Sequence, residues 1–331
     1  MEQVTLKDIA KALNLSTSTV SRALRDSYQI NKKTKNIVIE YAKKVNYIPN
    51  PIALSLKGNT SKAIGVIVPE IANHFFSQAI NGIEDEAYRR GYHVVIFQSH
   101  ESLEREVDII KHLYDRRVDG VLISLSASTK NIDHIKNYSE NNFPVVYFDR
   151  VPKDENVNKV VVDNFKGAYD ATNFLISKGK KRIAHLTSPP ELSITIERLS
   201  GYKKALADNK IQEDFNLIKF CDFKSKNHNK AINELFENSN PDAFFISSDR
   251  IALSFYEEFQ KRKLHKKDKY MFFGFTNLAV AHLFNPPLFT VVQPAFEIGV
   301  QSAKILLDNL ENKKDKPEPK TIILKTKMKT N

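Results

Sequence analysis

The feature that most constrains this chain is an alternation running from residue 62 to the end. Short β-branched and aromatic runs are separated there by amphipathic helical stretches. The strand-like runs are AIGVIVP, HVVIFQS, GVLISLS, PVVYFDR, KVVVDN, RIAHLTS, LIKFCDF, AFFISSD and YMFFGF. Between them lie helices such as FFSQAINGIEDEAYRRG (75–91) and ESLEREVDIIKHLYDRR (101–117). Continuous apolar strands joined by crossover helices imply parallel sheets covered on both faces. Nine to eleven strands are too many for one comfortable unit, which predicts two similar α/β lobes. The repetition is architectural, with no repeated sequence behind it. The charged, proline-containing segment NKKDKPEPK (312–320) precedes one last expected strand, TIILKTKM.

Residues 1–47 have a different period. Leu6, Ile9, Ala10 and Leu13 recur at i, i+3, i+4 and i+7, one apolar stripe, with Thr5 placed to cap it. Asn14 and Leu15 make a turn, and Ser16 can cap a second helix whose buried side is Val20, Ala23 and Leu24. Asn31 opens a third, with Ile37, Val38, Tyr41, Ala42 and Val45 inward. The other side of the second helix carries Thr17, Ser18, Ser21, Arg22 and Arg25. Small hydroxyls and a guanidinium let a helix approach base edges and phosphates closely.

Charge points the same way. The chain carries a net +11, and residues 1–62 hold eleven Lys and Arg against four acids (Glu2, Asp8, Asp26 and Glu40). A footprint for nucleic-acid phosphates and a merely solvated basic surface both fit that balance. The three-helix context and the short turn favour DNA. Residues 48–60, IPNPIALSLKGNT, hold a capping Asn50, a Pro51 at the first helical position and a terminating Gly58. About two turns are too few for a helix stable alone in water. The segment therefore reads as a linker that becomes helical on binding.

Several function classes find no support. No run approaches the roughly 18–20 apolar residues of a membrane helix. MEQVTLKDIA lacks the basic and apolar pattern of a secretory signal, so a cytoplasmic location is expected. The single cysteine, Cys221, leaves no internal disulfide or multi-cysteine metal site and reads as an inert buried thiol. The ten glycines are never closer than seven positions, which excludes GxGxxG, GxSxG and GxxxxGK[ST]. No histidine has another four residues away, so HExxH is absent. No enzyme, metal or cofactor is expected.

VTLKDIAKALNLSTSTVSRAL resembles the opening helix-turn-helix of the lactose-repressor (LacI-type) family of bacterial transcription regulators. INKKTKNIVIEYAKKVNYIPNPIALSLK resembles its continuation. IGVIVPEIANHFFSQAINGIE, RRVDGVLI, FDRVP, VVVDNFKGAYDAT, ERLSGYKKAL and VVQP resemble the family's periplasmic-binding-protein-like effector module. The resemblance spans nearly the whole chain. It implies a small all-α helix-turn-helix domain (1–47), a hinge (48–61) and a two-lobed α/β domain with parallel sheets (62–331). Lobe 1 would take about 62–161 and 293–320, and lobe 2 about 162–292 and 321–331, joined by three crossovers.

Carried over by position, the second helix enters the major groove with Thr17, Ser18 and Arg22. Thr5, Leu6, Ser16, Thr19, Ser21 and Asn31 complete the DNA-facing set, chiefly at phosphates. Leu56 would wedge into a base step of the minor groove, with Lys57 beside it. The ligand candidates are Asn73, Phe75, Phe76, Asp149, Arg198, Phe223, Asp249 and Thr276. Phe75 and Phe76 as core, and Asp249 as a helix cap, stay open beside that reading. Two departures stand out: Leu54 replaces an arginine common in the family, and Thr276, followed by Asn277, replaces a frequent aspartate.

The implied partners are a pseudo-palindromic double-stranded DNA operator, a small polar effector of sugar type, and a second copy of the chain as a homodimer, with no membrane. A ligand-independent DNA binder with a vestigial cleft stays open as an alternative, as does an enzyme or binding protein acting on sugars or nucleosides.

Overall fold

The computed structural model describes residues 4–24, 26–47, 60–154, 156–223, 225–263, 270–312 and 318–330. The chain divides into two units, Met1–Ser61 and Lys62–Asn331. In the first, helices α1 (Leu6–Ala12), α2 (Thr17–Leu24) and α3 (Lys32–Lys44) each begin at a side-chain cap. Thr5 accepts the Asp8 amide with its hydroxyl and donates its own amide to the Asp8 carboxylate at 2.8 Å, a complete capping box. Ser16 Oγ accepts the Thr19 amide at 3.1 Å, and Asn31 Oδ1 accepts that of Thr34 at 2.8 Å.

The three helices close over Ile9, Ala10, Val20, Ala23, Val38 and Ala42. Two expected placements are corrected here. Ile37, read as inward, is 45% exposed because α3 turns Val38 and Ala42 to the core instead. Ser21, read as part of the open face of α2, is buried beside Val20 and Ala23.

The larger unit contains two six-stranded sheets. The first has the order β11-β5-β4-β3-β1-β2, with β1 Ala63–Val68, β2 His93–Gln98, β3 Gly120–Ile123, β4 Val145–Phe148, β5 Asn158–Val162 and β11 Thr321–Leu324. All its pairings are parallel. The second has the order β12-β10-β9-β8-β6-β7, with β6 Ile183–Thr187, β7 Ile218–Phe220, β8 Ala243–Ile246, β9 Met271–Phe275, β10 Leu288–Val292 and β12 Lys327–Lys329. Only β12 runs antiparallel, against β10. GVLI, VVYF and AFFI are buried at every position, as strands covered on both faces should be.

Helices α4 (His74–Arg89), α5 (Leu103–Asp115), α6 (Asp133–Ser139) and α11 (Ala295–Glu311) belong with the first sheet. Helices α7 (Asn164–Ser177), α8 (Ser193–Asp208), α9 (Ser225–Asn238) and α10 (Asp249–Lys261) belong with the second. Two glycines let α4 and α11 touch backbone to backbone. A Cβ on Gly82 would collide with the Phe296 carbonyl, and one on Gly299 with that of Ala79. Among the described residues no helix is long and apolar enough to cross a membrane.

The chain passes between the sheets three times: after β5 at Asp163, after β10 at Gln293–Pro294, and between β11 and β12 at Lys325–Thr326. The Asp163 amide donates to Leu324 O at 3.0 Å, tying the first and third passages together. The third passage corrects the expected lobe boundary. TIILKTKM is two strands rather than one, and Thr321–Leu324 hydrogen-bonds to β5, so 321–324 belongs to lobe 1 and only 327–329 pairs in lobe 2.

One buried titratable group bears on stability. His185 in β6 stacks between Tyr202 and Phe245, with ring centroids at 5.0 and 4.7 Å. Its Nδ1 lies 3.1 Å from Phe245 O, which suits a neutral ring protonated at Nδ1. Burial lowers its pKa from 6.5 to about 4. The unfolded chain therefore takes up this proton first as pH falls. The stabilisation is complete above pH 6.5 and is lost on the way down to about pH 4, with an expected loss of about 3 kcal/mol. Urea midpoints measured across that window should fall in the wild type. The fall should be visibly shallower in His185→Gln, and equal slopes would assign the effect to other groups.

Candidate functional site

In the small unit, α2 buries Val20, Ser21 and Ala23 and leaves Thr17, Ser18 and Arg22 open to solvent. Ser16 Oγ lies 2.8 Å from both Ser18 Oγ and Thr19 Oγ1, so a short hydroxyl cluster marks the start of the helix. Exposed amides and hydroxyls at such a terminus suit phosphate oxygens. Thr5, Ser16 and Asn31 are exposed caps, Thr19 is half-buried, and Leu6 packs against the core of the unit. Arg25, Leu54, Leu56 and Lys57 lie outside the described residues.

In the larger unit, the C-terminal ends of strands from both sheets face one cleft, where ligands of open α/β sheets sit. Seven of the eight expected ligand residues line it: Asn73, Phe75, Phe76, Asp149, Arg198, Phe223 and Asp249. Asn73 also caps α4 by accepting the Phe75 amide at 2.9 Å. Phe75 and Phe76 meet edge to face at 5.3 Å, and both are at once wall and core.

Asp149 follows β4 in the left-handed region, at φ 59°, where non-glycine residues are seldom found without a cause. Burial raises the pKa of its carboxyl, opposed by the guanidinium groups of Arg150 and Arg198. Arg198, on α8, is wholly buried. Its Nε donates to Asn164 Oδ1 at 2.9 Å and its Nη1 to Ser247 O at 2.6 Å, while the guanidinium lies 3.9 Å from the centre of the Phe275 ring. Burial lowers its pKa to about 10, so it remains a cation at neutral pH.

The cap of α10 is Ser248, whose hydroxyl accepts the Ile251 amide, which frees Asp249 from that role. Asp249 accepts the Asn277 amide at 3.2 Å and a hydrogen bond from Thr276. Thr276 is the exception among the expected ligand residues. It is buried behind Asp249 and does not line the cleft, so it is a positioning residue.

Other lining residues were not singled out from the sequence. Glu101 pairs with Arg150 at 2.8 Å, and Arg150 lies over the rings of Phe223 and Phe76, 5.1 and 5.8 Å from their centres. Glu70 pairs with Arg250, whose Nη1 also donates to Phe223 O at 2.9 Å. Glu70 and Arg150 belong to the first lobe, and Arg250 and Phe223 to the second, so these contacts cross the cleft. Arg150 Nε, Ser247 Oγ and Gln293 Nε2 are buried without a hydrogen-bond partner among the described residues. Such groups normally find partners, and in a cleft a ligand supplies them.

Two family models match the chain. Residues 5–50 match "Bacterial regulatory proteins, lacI family", and residues 61–330 match "Periplasmic binding proteins and sugar binding domain of LacI family". The HTH-type transcriptional repressor PurR of Vibrio atlanticus (strain LGP32) is 32% identical over 93% of this chain and 92% of its own. The HTH-type transcriptional repressor CytR of Escherichia coli (strain K12) is 33% identical over 93% of this chain and 90% of its own. The crystal structure of the lac repressor dimer bound to operator and the anti-inducer ONPF aligns with a TM-score of 0.84. It shows 25% identity over 99% of this chain and 98% of that one. The chain belongs to the LacI family of bacterial regulatory proteins, and it is a DNA-binding regulator of transcription rather than an enzyme.

Proposed function

We propose that the chain works in the cytoplasm as a homodimeric repressor on a pseudo-palindromic operator, with its operator affinity set by a small carbohydrate-type ligand held between the two lobes. The observation that carries this reading is the cleft itself, where Arg150 Nε, Ser247 Oγ and Gln293 Nε2 are buried without a hydrogen-bond partner among the described residues and whose walls come from both lobes. Phenylalanine rings and a planar guanidinium beside hydroxyl-accepting carboxylates suit a sugar ring with an apolar face and polar edges.

Coupling follows from differential affinity, since a ligand that binds open and closed cleft equally shifts nothing. Arg198 and Asp149 stand on different lobes, so a ligand gripping both selects one inter-lobe angle. In a dimer the angle sets the spacing of the two 48–61 segments and of the reading heads beyond them.

The test is operator affinity, measured by fluorescence anisotropy on a duplex selected from a random library, with and without members of a panel of mono- and disaccharides. One ligand is expected to change affinity about 5- to 150-fold, and the sign of the change separates induction from corepression. Tight operator binding that no ligand shifts would make the chain a ligand-independent DNA binder. A monomer mass in light scattering with undiminished affinity would remove the dimer.

A further inference from the structure

We propose that Glu106, which does not line the cleft, is a positioning residue for it: its carboxylate fixes the loop at 124–129, and that loop aims the Arg150 guanidinium at whatever enters. This role rests on the reading of the cleft as a ligand site, and part of its test needs no ligand, so the two can fail separately.

Glu106 stands on α5 and is wholly buried. Its Oε2 accepts the Ser126 amide at 2.7 Å and lies 2.7 Å from Ser126 Oγ. Its Oε1 accepts a hydrogen bond from Thr129 Oγ1 at 2.8 Å and lies 3.0 Å from His134 Nε2. Burial raises the pKa of the carboxyl, but the hydrogen bonds from His134, Ser126 and Thr129 outweigh it and hold the group below its ordinary value. The side chain is therefore an anion at neutral pH. Burying a charge costs stability unless its lone pairs are met, and here the loop supplies the Ser126 and Thr129 donors.

The loop in turn grips Arg150 at both ends through consecutive amides. The Leu125 amide donates to Arg150 O at 3.1 Å. The Ser126 amide goes to Glu106, and the Ala127 amide donates to Glu101 Oε2 at 2.9 Å. Glu101 then holds Arg150 Nη1 at 2.8 Å. Ser128 Oγ donates to Glu101 O at 2.9 Å and accepts the Leu103 amide at 2.7 Å. Glu101 needs such support, because it and His100 both stand in the left-handed region, at φ 61° and 49°. The Glu106 carboxylate pins the middle of this run.

With Nη1 committed to Glu101, the plane of the Arg150 guanidinium is set. It lies 5.1 Å from the centre of the Phe223 ring and 5.8 Å from that of Phe76. Its Nε is buried without a hydrogen-bond partner among the described residues, ready for a ligand acceptor. Phe223 belongs to the other lobe, so one cation carries both a donor for the ligand and a contact across the cleft. A displaced loop moves both together. Glu106 touches neither, and acts on Arg150 only through Ser126, Ala127 and Glu101.

The test uses the full chain, which contains no tryptophan, with Phe223→Trp as a fluorescent probe of the ring that Arg150 covers. Arg150→Ala in that background gives the acrylamide quenching of the uncovered indole. Glu106→Gln keeps the size of the side chain but turns an amide NH2 toward donors, and it is expected to give at least half of that rise. Ile110→Val, a core change on the same helix, should leave quenching at the parent value. Glu101→Gln should raise it too, and adding Glu106→Gln should change nothing further, because the two act in series. Calorimetry of wild type and Glu106→Gln with D-ribose, D-glucose, cellobiose and cytidine reads the ligand side. Any of these that binds should bind about tenfold more weakly in the variant, as loss of a partner that orients a binding group commonly costs. If Glu106→Gln fails to fold, Thr129→Val removes one donor to the same carboxylate and should move quenching and affinity in the same direction. Parent-level quenching in the variant that folds, an equal rise in Ile110→Val, additive rises in the double variant, or undiminished affinity for a probe that binds would each overturn the proposal. A rise specific to this network without binding of any probe supports the positioning and removes the carbohydrate reading alone.

Discussion

Replacing Arg22 with alanine is expected to weaken operator binding by about 2–6 kcal/mol per dimer, roughly 30-fold to 10⁴-fold. The arithmetic is that of one guanidinium contact, about 1–3 kcal/mol, lost from each of two reading heads. The change should be one of recognition and not of folding. Arg22 stands on the open side of α2 and takes no part in the core of Ile9, Val20 and Val38, so stability should move by about 0.5 kcal/mol or less. Anisotropy titrations on the selected operator and on scrambled DNA separate two roles. If Arg22 reads a guanine edge, specificity relaxes at one position of each half-site. If it meets a phosphate, binding weakens on all sequences and the salt dependence falls by about one counterion per head. A variant that binds like wild type would move recognition off this face of α2.

Much of the architecture was legible because its causes are local. Runs such as GVLI and AFFI have no polar side to expose and so must lie inside a covered parallel sheet. Thr5, Ser16 and Asn31 announce their helices because a short oxygen-bearing side chain can satisfy an orphan amide only from that position. The misreadings have tertiary causes. TIILKTKM alternates like one strand, and only main-chain pairing with β5 and β10 divides it between two sheets. Ser21 lies 100° around α2 from Val20, at the edge of the apolar stripe, where a small hydroxyl is tolerated on either side. Ile37 stands at the same kind of edge on α3 and falls outward.

The cleft was legible where a residue matched a position on a strand end and illegible where it depended on a distant partner. Glu70 and Arg250 are 180 residues apart, and nothing in either segment announces the pair. Arg150 and Arg250 each directly follow an expected ligand residue, which is the one signal that was there to be used. Thr276 went the other way. Its position matched, but its side chain reaches back to Asp249 and the Leu278 amide instead of into the cleft.

Arg198→Ala is expected to abolish the ligand response, taking a shift of about 5- to 150-fold in operator affinity to none. The arginine is more than a ligand contact. It joins Asn164 at the start of α7 to Ser247 at the end of β8, and it supplies positive charge to the buried Asp149 carboxyl. Removing it leaves two acceptors without their donor and takes positive charge away from a buried carboxyl, so the larger unit should also lose about 3–5 kcal/mol. A flat response could then come from unfolding alone, and Arg198→Lys separates the two causes. Lysine keeps the charge but lacks the planar fork that meets Asn164 and Ser247 O together while stacking on Phe275. The lysine variant should fold with a smaller loss of stability and still respond weakly or not at all. If ligand releases the operator, both variants stay bound at every ligand concentration. If ligand is a corepressor, both stay in the weak-binding form. The helix-turn-helix is a separate unit, so operator binding without ligand should remain near wild type in the first case. A lysine variant that folds and responds as fully as wild type would show that the ligand grips neither this guanidinium nor the geometry it maintains.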